Sequence, residues 1–522
     1  MAQGVLPFKY EEEKKEFGLT SFGGLFVYFD LFRKLNLKSI VNRHLKAKSE
    51  KQGWSDYQQV LALLLLNLCG CESVDDIDYL ESDSGLRRLL KNLELQGAWG
   101  RHREKQKRRW RKENYRSLSA SSSLFRYLEF FHNDSEEKRR EEEICKRNEE
   151  IKAGKKKHGK AFIPAPNDHL GGLNNINQEL INFLQLNSPE TTATLDMDAT
   201  IVESHKSSAF CSYKGPKGYQ PLNTWWAEQK VLLHTEFRDG NVPAGHQQMR
   251  VLSEALDCLP EGIDKVYLRS DTAAYQWELF NYCSKGQNKR FGRIEFAISC
   301  DITREFKAEV MRVPEEDWHP IYNKVKGKSV EISRWAEVPY VPNAEARSKK
   351  GPEYRFIAIR EVVKQQTLPG MESLVELPFP NFSADDVCYK LSGLITNMDW
   401  EGESLIHWLH KRCGDSEHIH SEMKNAYCGG RFPSGKFGVN AAWWWFMVLA
   451  INVTAIFKKV VLNKEWRQKR MKGLSLFFIR VAGRIIKKGR EMIIRLSKGA
   501  PVFPALLDAR KNIKSLSCLP SG

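Results

Sequence analysis

Apolar positions along this chain follow two rhythms, and the switch between them divides it. From about residue 18 to 95 the spacing is helical. In LALLLLNLCGCESVDDIDYLESDSGLRRLLKNL an apolar run leads into Leu80, Leu86, Leu89 and Leu90 on one side of a helix. Ser55 and Asp56 stand where an N-cap would open the preceding helix. From about 190 to 300 the rhythm becomes strand, strand, strand, helix, strand, helix, strand. TTATLDMDATIVE alternates on a two-residue period and is β-branched, and PLNTWWAEQ and KVLLHTEFRDG supply the next two strands. In GHQQMRVLSEALDCLPEG, Met249, Leu252, Leu256 and Leu259 recur at helical spacing until Pro260 and Gly262 end the helix. KVYLRSD reads as a short strand, AAYQWELFNYC as a helix and RIEFAISCDI as a further strand.

Beyond about residue 305 strand signals dominate, in YRFIAIREVV and CYKLSGLITN, until a helical stretch runs from Ser404 to Lys459. Within it, Ala441 to Phe457 is apolar enough to resemble a membrane span. It is short for one, carries Asn452 and is bracketed by Lys436 and Lys458–Lys459, so a buried core helix is expected and no membrane. Trp443–Trp445 belong to that core on this reading. Trp225 and Trp226, adjacent on a strand, are expected on opposite faces, one buried and one free to stack on a base. The basic tail, in WRQKRMKG and RIIKKGREMIIRLSKG, has apolar spacing that suits amphipathic helices touching phosphates on one side.

The charge balance adds a constraint on partners. Lys plus Arg number 81 against 65 for Asp plus Glu, a net +16 over 522 residues. That surplus points to a polyanionic partner, without separating DNA from RNA or anionic lipid. RHREKQKRRWRKEN at 101–114, with Trp110 inside it, and the charged stretch from Ser135 to Lys160 read equally as an arm gripping nucleic acid or as a solvated linker. APNDHLGG marks a turn and a boundary near residue 165. The 11 cysteines form no CxxC pair, and the amino terminus lacks the features of a signal peptide. Free thiols in a reducing cytoplasm are expected. Cys413, His418, His420 and Cys428 match no standard zinc spacing.

Three acids stand out. In Leu195-Asp196-Met197-Asp198-Ala199-Thr200, residues 196 and 198 share a strand face, and an acidic pair on a half-buried strand calls for a cation or a partner. Asp271 ends the strand Lys265–Ser270, a habitual ligand position in such sheets, although an ordinary helix cap would also place Asp there. Glu417 lies in a helical segment where Ser421 and Lys424 share its face. Converging carboxylates of this kind hold the metal ions of phosphoryl transfer. His205, Lys206, Tyr213, Lys214 and Lys217 follow the first acid and suit a phosphate backbone as well as they suit a solvated loop.

Taken together, LDMDAT at 195–200, Gly-Tyr-Gln-Pro-Leu at 218–222, FRDGN at 237–241, LRSDTAAY at 268–275 and the Arg412-to-Lys424 segment resemble the insertion-sequence DDE transposases. The likeness is to the group with a β-rich insertion before the last acid. It covers roughly residues 190–460, more weakly 18–95, and three hairpin strands followed by alternating helices and strands is the element order of an RNase H-like sheet. The fold implied is an α/β RNase H-like mixed sheet flanked by helices, with a β-rich insertion and an N-terminal helical domain. Its expected parts are an N-terminal helical DNA-binding region at 1–98, a charged basic connector at 99–165 and the catalytic core at 166–304. A β-rich insertion at 305–398, the last core helices at 399–460 and a basic helical tail at 461–522 follow.

By resemblance, Asp198, Asp271 and Glu417 would be the catalytic, metal-binding triad, with Asp196 the rival for the first position. Arg412 and Lys424 would contact DNA phosphates. Two divalent ions, Mg²⁺ or Mn²⁺, would be the cofactors. The partners would be the terminal inverted repeats of a mobile element and target DNA, held by a homodimer in the bacterial cytoplasm, at the nucleoid when DNA is bound. Where the family often carries Tyr three residues before the Arg, this chain has Leu409. A nuclease that cuts without joining, or a DNA-binding derivative without catalysis, are the alternative functions.

Overall fold

Two folding units account for the two rhythms. The computed structural model describes residues 17–48, 53–95, 116–154, 161–325, 327–342, 354–363, 379–384, 387–488 and 491–519. The basic run 101–114 and nearly all of GKKKHGK at 154–160 lie outside the described residues. One unit gathers residues of 1–188, 202–209 and 421–522, and the other 189–201 and 210–420.

The first unit is built on the helix Phe437–Ile456, in which every residue but Ala455 is buried. A helix apolar all round has no face for water. Helices Asp168–Asn187, Asp56–Leu68 and Ser121–Glu129 enclose it. Its polar atoms are satisfied inside: Asn452 donates to Asn177 Oδ1 at 2.6 Å and Trp443 Nε1 to the Cys428 carbonyl at 2.8 Å. The apolar stretch that resembles a membrane span is therefore 94% covered by protein. Ser55 caps Asp56–Leu68 in a reciprocal box with Gln58, as the sequence suggests.

Three expectations change here. Asp168–Asn187 and Phe437–Ile456, placed above with the catalytic core, pack within the first unit, because an apolar stripe does not specify which partner covers it. The connector contains two helices, Ser121–Glu129 and Asp134–Lys152, and buries Leu124, Tyr127, Leu128 and Arg140. The basic tail is not helical throughout. Strands Gly483–Lys488 and Glu491–Leu496 pair antiparallel, and the first of them joins strand Leu19–Thr20 in a three-stranded sheet. Its paired β-branched residues, Ile485 opposite Ile494 and Ile486 opposite Ile493, favour the pleated surface over a helix.

The second unit is a ten-stranded sheet. In chain order its strands are β1 (Thr192–Ala199), β2 (Leu222–Trp226), β3 (Val231–Glu236), β4 (Lys265–Ser270) and β5 (Glu295–Ser299). Then come β6 (His319–Val325), β7 (Lys328–Val338), β8 (Arg355–Val362), β9 (Asn381–Ala384) and β10 (Val387–Thr396). The spatial order is β6-β7-β8-β10-β5-β4-β1-β2-β3, with β9 paired to β10. β1, β2 and β3 are antiparallel, while β4 and β5 run parallel to β1, so the core reads 3-2-1-4-5 as an RNase H-like sheet does. The β-rich insertion extends that sheet directly, since β10 pairs antiparallel with β5.

Helix Gly402–Asn425 returns the chain from the insertion. Its Leu405, Ile406 and Leu409 share an apolar cluster with Ala297, Ile321, Trp335, Ile357, Ile359 and Leu394. Leu409, where the family pattern carries Tyr, is 4% exposed in that cluster. Trp225 and Trp226 do not divide between core and solvent. Both are buried, because β2 is an interior strand buried at every position and a bulge follows Thr224. The base-stacking expectation for one of them falls.

Candidate active site

β1 and β4 lie side by side in parallel, with Asp196 opposite Arg269 and Met197 opposite Ser270. One residue further, Asp198 and Asp271 stand at neighbouring carboxyl ends of these strands, where open α/β sheets carry their ligands. Asp271 also caps the short turn Thr272–Ala274, its Oδ1 accepting from Ala273 N at 3.0 Å. The cap leaves its second oxygen for other work.

Sequence cannot separate the two aspartates of β1, which share a face, but their partners do. Asp196 is 1% exposed and both its oxygens accept from Arg269, Nε at 2.6 Å and Nη2 at 2.7 Å. Arg269 also donates to the Trp408 carbonyl at 2.6 Å and lies over the Trp408 ring. This buried pair clamps helix Gly402–Asn425 onto the acid-bearing face.

Asp198 has no such match. Its nearest cation is Arg412, with Nη1 3.4 Å from Oδ2, a loose contact for a guanidinium and a carboxylate. Arg412 is buried and its Nε has no partner. Burial pushes the Asp198 carboxyl up to about 6; Arg412 opposes the rise, and Asp271 and Asp196 add to it. A neighbouring acid that raises another acid's pKa marks a place short of positive charge.

Next to this pair runs a polar relay that the sequence did not announce. Asn223 on β2 is in register with Asp198, and Thr235 on β3 is in register with Asn223. Thr235 donates to Asn223 Oδ1 at 2.7 Å, and Asn223 Nδ2 meets His420 Nε2 at 3.3 Å. With Nε2 accepting, the proton sits on Nδ1, which faces Asp198 Oδ2 at 3.9 Å. The only signal for His420 in the sequence is its place eight residues after Arg412.

Arg412, Ser416 and His420 recur at four-residue steps, and the outer two meet Asp198. Glu417 therefore stands about 100° round the helix from Ser416, and it is exposed. Lys424 follows on the Glu417 side and is half-buried. Among the described residues no three His, Cys, Asp or Glu side chains stand close enough together to hold a metal ion. The fold thus brings together Asp198, Asp271 and Arg412, with Glu417 on the flank of the same helix. Arg412, expected on a DNA phosphate, faces Asp198 in the protein alone.

The remaining motifs have structural explanations. Gly218–Tyr219 and Phe237–Gly240 lie against each other beyond the β2–β3 pair: Tyr219 packs on Phe237 at 4.9 Å, and Gly240 N donates to the Gly218 carbonyl at 2.9 Å. A Cβ on Gly240 would stand 2.6 Å from that carbonyl, so the close approach requires glycine. His205, Lys206, Tyr213, Lys214 and Lys217 are all exposed.

A family model described as transposase DDE domain group 1 matches residues 16–518. No curated protein matches the chain. Among solved structures, the piggyBac transposase synaptic complex with hairpin DNA aligns over 87% of this chain and 77% of its own, at 9% identity and a TM-score of 0.41.

Proposed function

The chain belongs to the transposase DDE domain group 1 family and is a DNA transposase dependent on divalent metal; from that premise we propose that Asp198, Asp271 and Glu417 hold two Mg²⁺ or Mn²⁺ ions at the scissile phosphate. The observation that carries this reading is the uncompensated Asp198 carboxyl beside Asp271, with Arg412 as a loose and partly unpaired counter-cation. The oxygen-only donor set suits hard divalent ions. Such ions, when bound, activate the attacking oxygen and neutralise the leaving one.

This chain's own residues do the rest. Asp196 and Arg269 fix the helix over the strand ends, so that the acids stay in place as charge changes nearby. Asn223 and His420 hold the flank of Asp198. With Asp198 engaged on a metal ion, Arg412 would be left to meet a phosphate oxygen, and Lys424 would supply a second cation. Glu417, exposed on the flank of the same helix, would complete the set. The substrates are the terminal inverted repeats of a mobile element and target DNA, and a homodimer holds two ends at once.

A supercoiled-plasmid assay with and without Mg²⁺ tests the proposal. Joined products that need the metal are expected. Metal-dependent nicking without joining would reduce the protein to a nuclease, and shifted but intact DNA would reduce it to a binding protein.

A further inference from the structure

The hairpin in the basic tail carries a feature that neither the triad nor the relay uses. Its strands, β11 (Gly483–Lys488) and β12 (Glu491–Leu496), set Arg484 directly opposite Arg495. Directly opposed residues in antiparallel strands have Cβ atoms about 5 Å apart, and like charges there are destabilising. Both arginines are exposed, and no carboxylate pairs with either among the described residues. Arg484 uses Nε on the Phe17 carbonyl at 3.2 Å and lies over the Phe17 ring, which aims its guanidinium without neutralising it.

The surroundings of this pair are consistent with a ligand face. Leu19, in register with Arg484 on the third strand, is 57% exposed. On the same face, two residues along, come Ile486 and Ile493, both half-buried, and then Lys488 opposite Glu491. Lys498 is exposed just beyond β12. The other face carries the buried Ile485 and packs inward. Two exposed guanidinium groups in register would each gain from a shared anion, and their planar donor forks match the oxygens of a phosphate.

We infer that the open face of this three-stranded sheet is a second DNA contact, with Arg484 and Arg495 gripping backbone phosphates of a duplex independently of the metal-binding acids. The inference rests on the transposase reading for the identity of the polyanion, and on the hairpin geometry for its position.

The test uses the full chain and a fluorescein-labelled duplex of arbitrary sequence, with affinity measured across a salt series. Each lost phosphate contact flattens the plot of log K against log salt by about 0.9. R484Q/R495Q should therefore flatten it by about 1.8 and weaken binding about 60-fold at roughly 0.1 M salt. R495Q alone should flatten it by about half as much. R495Q relieves the like-charge pair and leaves the Phe17 contacts of Arg484 in place, so its melting temperature should equal or exceed the wild type, which separates lost contact from lost folding. R484K/R495K, which keeps the charge, should retain most of the slope.

A double variant that binds with the wild-type slope overturns the inference and leaves the transposase reading standing. A double variant that keeps that slope but loses binding to phosphatidylserine vesicles assigns the face to a membrane surface and also overturns it. If the wild type itself ignores the duplex at low salt, it is the DNA-binding reading that fails.

Discussion

Replacing Asp198 by Asn removes a carboxyl group that the fold holds near pKa 6 against an ordinary 3.8. The folded protein therefore binds this proton more tightly than the unfolded chain. Stability contributed by the group is greatest below the unfolded value, falls as pH rises between the two values and is flat above the higher one. Over the whole interval the loss is about 3 kcal/mol, and about 1.4 kcal/mol of it falls between roughly pH 5 and pH 8. The side chain is 23% exposed, which keeps solvent screening modest. Asn does not titrate, so the variant should gain on the wild type by that amount over the same span, whatever constant offset the loss of the Arg412 contact adds. For a unit of roughly 220 residues, this corresponds to about 3–5 °C in the difference between melting temperatures. Calorimetry in a chelating buffer measures it. Added Mg²⁺ should then stabilise the wild type more at the higher pH and the variant hardly at all, while strand cleavage by the variant is lost. Melting curves for the two proteins that shift in parallel with pH would refute the reasoning, because Asp198 would then not be the buried, cation-seeking acid.

Other substitutions divide along the same lines. Asp271→Asn and Glu417→Gln should each abolish plasmid cleavage while end binding in a mobility-shift assay stays nearly unchanged; activity surviving either one removes that residue from the triad. Asp196→Asn should behave differently, since it strips one side of a buried ion pair and should lower stability by about 3–5 kcal/mol, visible as a shifted denaturant midpoint. An Asp196 variant as stable as the wild type would undo its assignment as the clamp on Arg269. Arg412→Gln removes the charge that opposes the rise at Asp198, so the Asp198 midpoint should move above about 6, as followed by carboxyl carbon NMR; an unchanged or lower midpoint contradicts the contact.

Several of these contrasts depend on distances that no linear pattern contains. Asp196 and Asp198 are alike in residue type and strand face, and only the resemblance favours Asp198. What separates them is Arg269 on the adjacent parallel strand, 73 residues away. Arg412 is expected from the sequence on a DNA phosphate; only when the helix is laid across the sheet does it become the nearest cation to Asp198. The roles of Asn223 and Thr235 follow from register alone.

The order of strands and helices between about 190 and 300, the apolar core helix and the motif positions were legible in residue order, because a period of two or of 3.6 is a local property that each segment carries with it. Which neighbour covers an apolar stripe is not local, so Asp168–Asn187 and Phe437–Ile456 joined the first unit only once the chain was folded. The tail shows the limit of periodicity itself: RIIKKGREMIIRL accommodates either period, and cross-strand pairing of its isoleucines selected the hairpin. Residue order thus determined the elements and nominated the acids. Tertiary structure decided which acid is neutralised by an arginine and which is left seeking a cation, since charge compensation depends on distances across the fold.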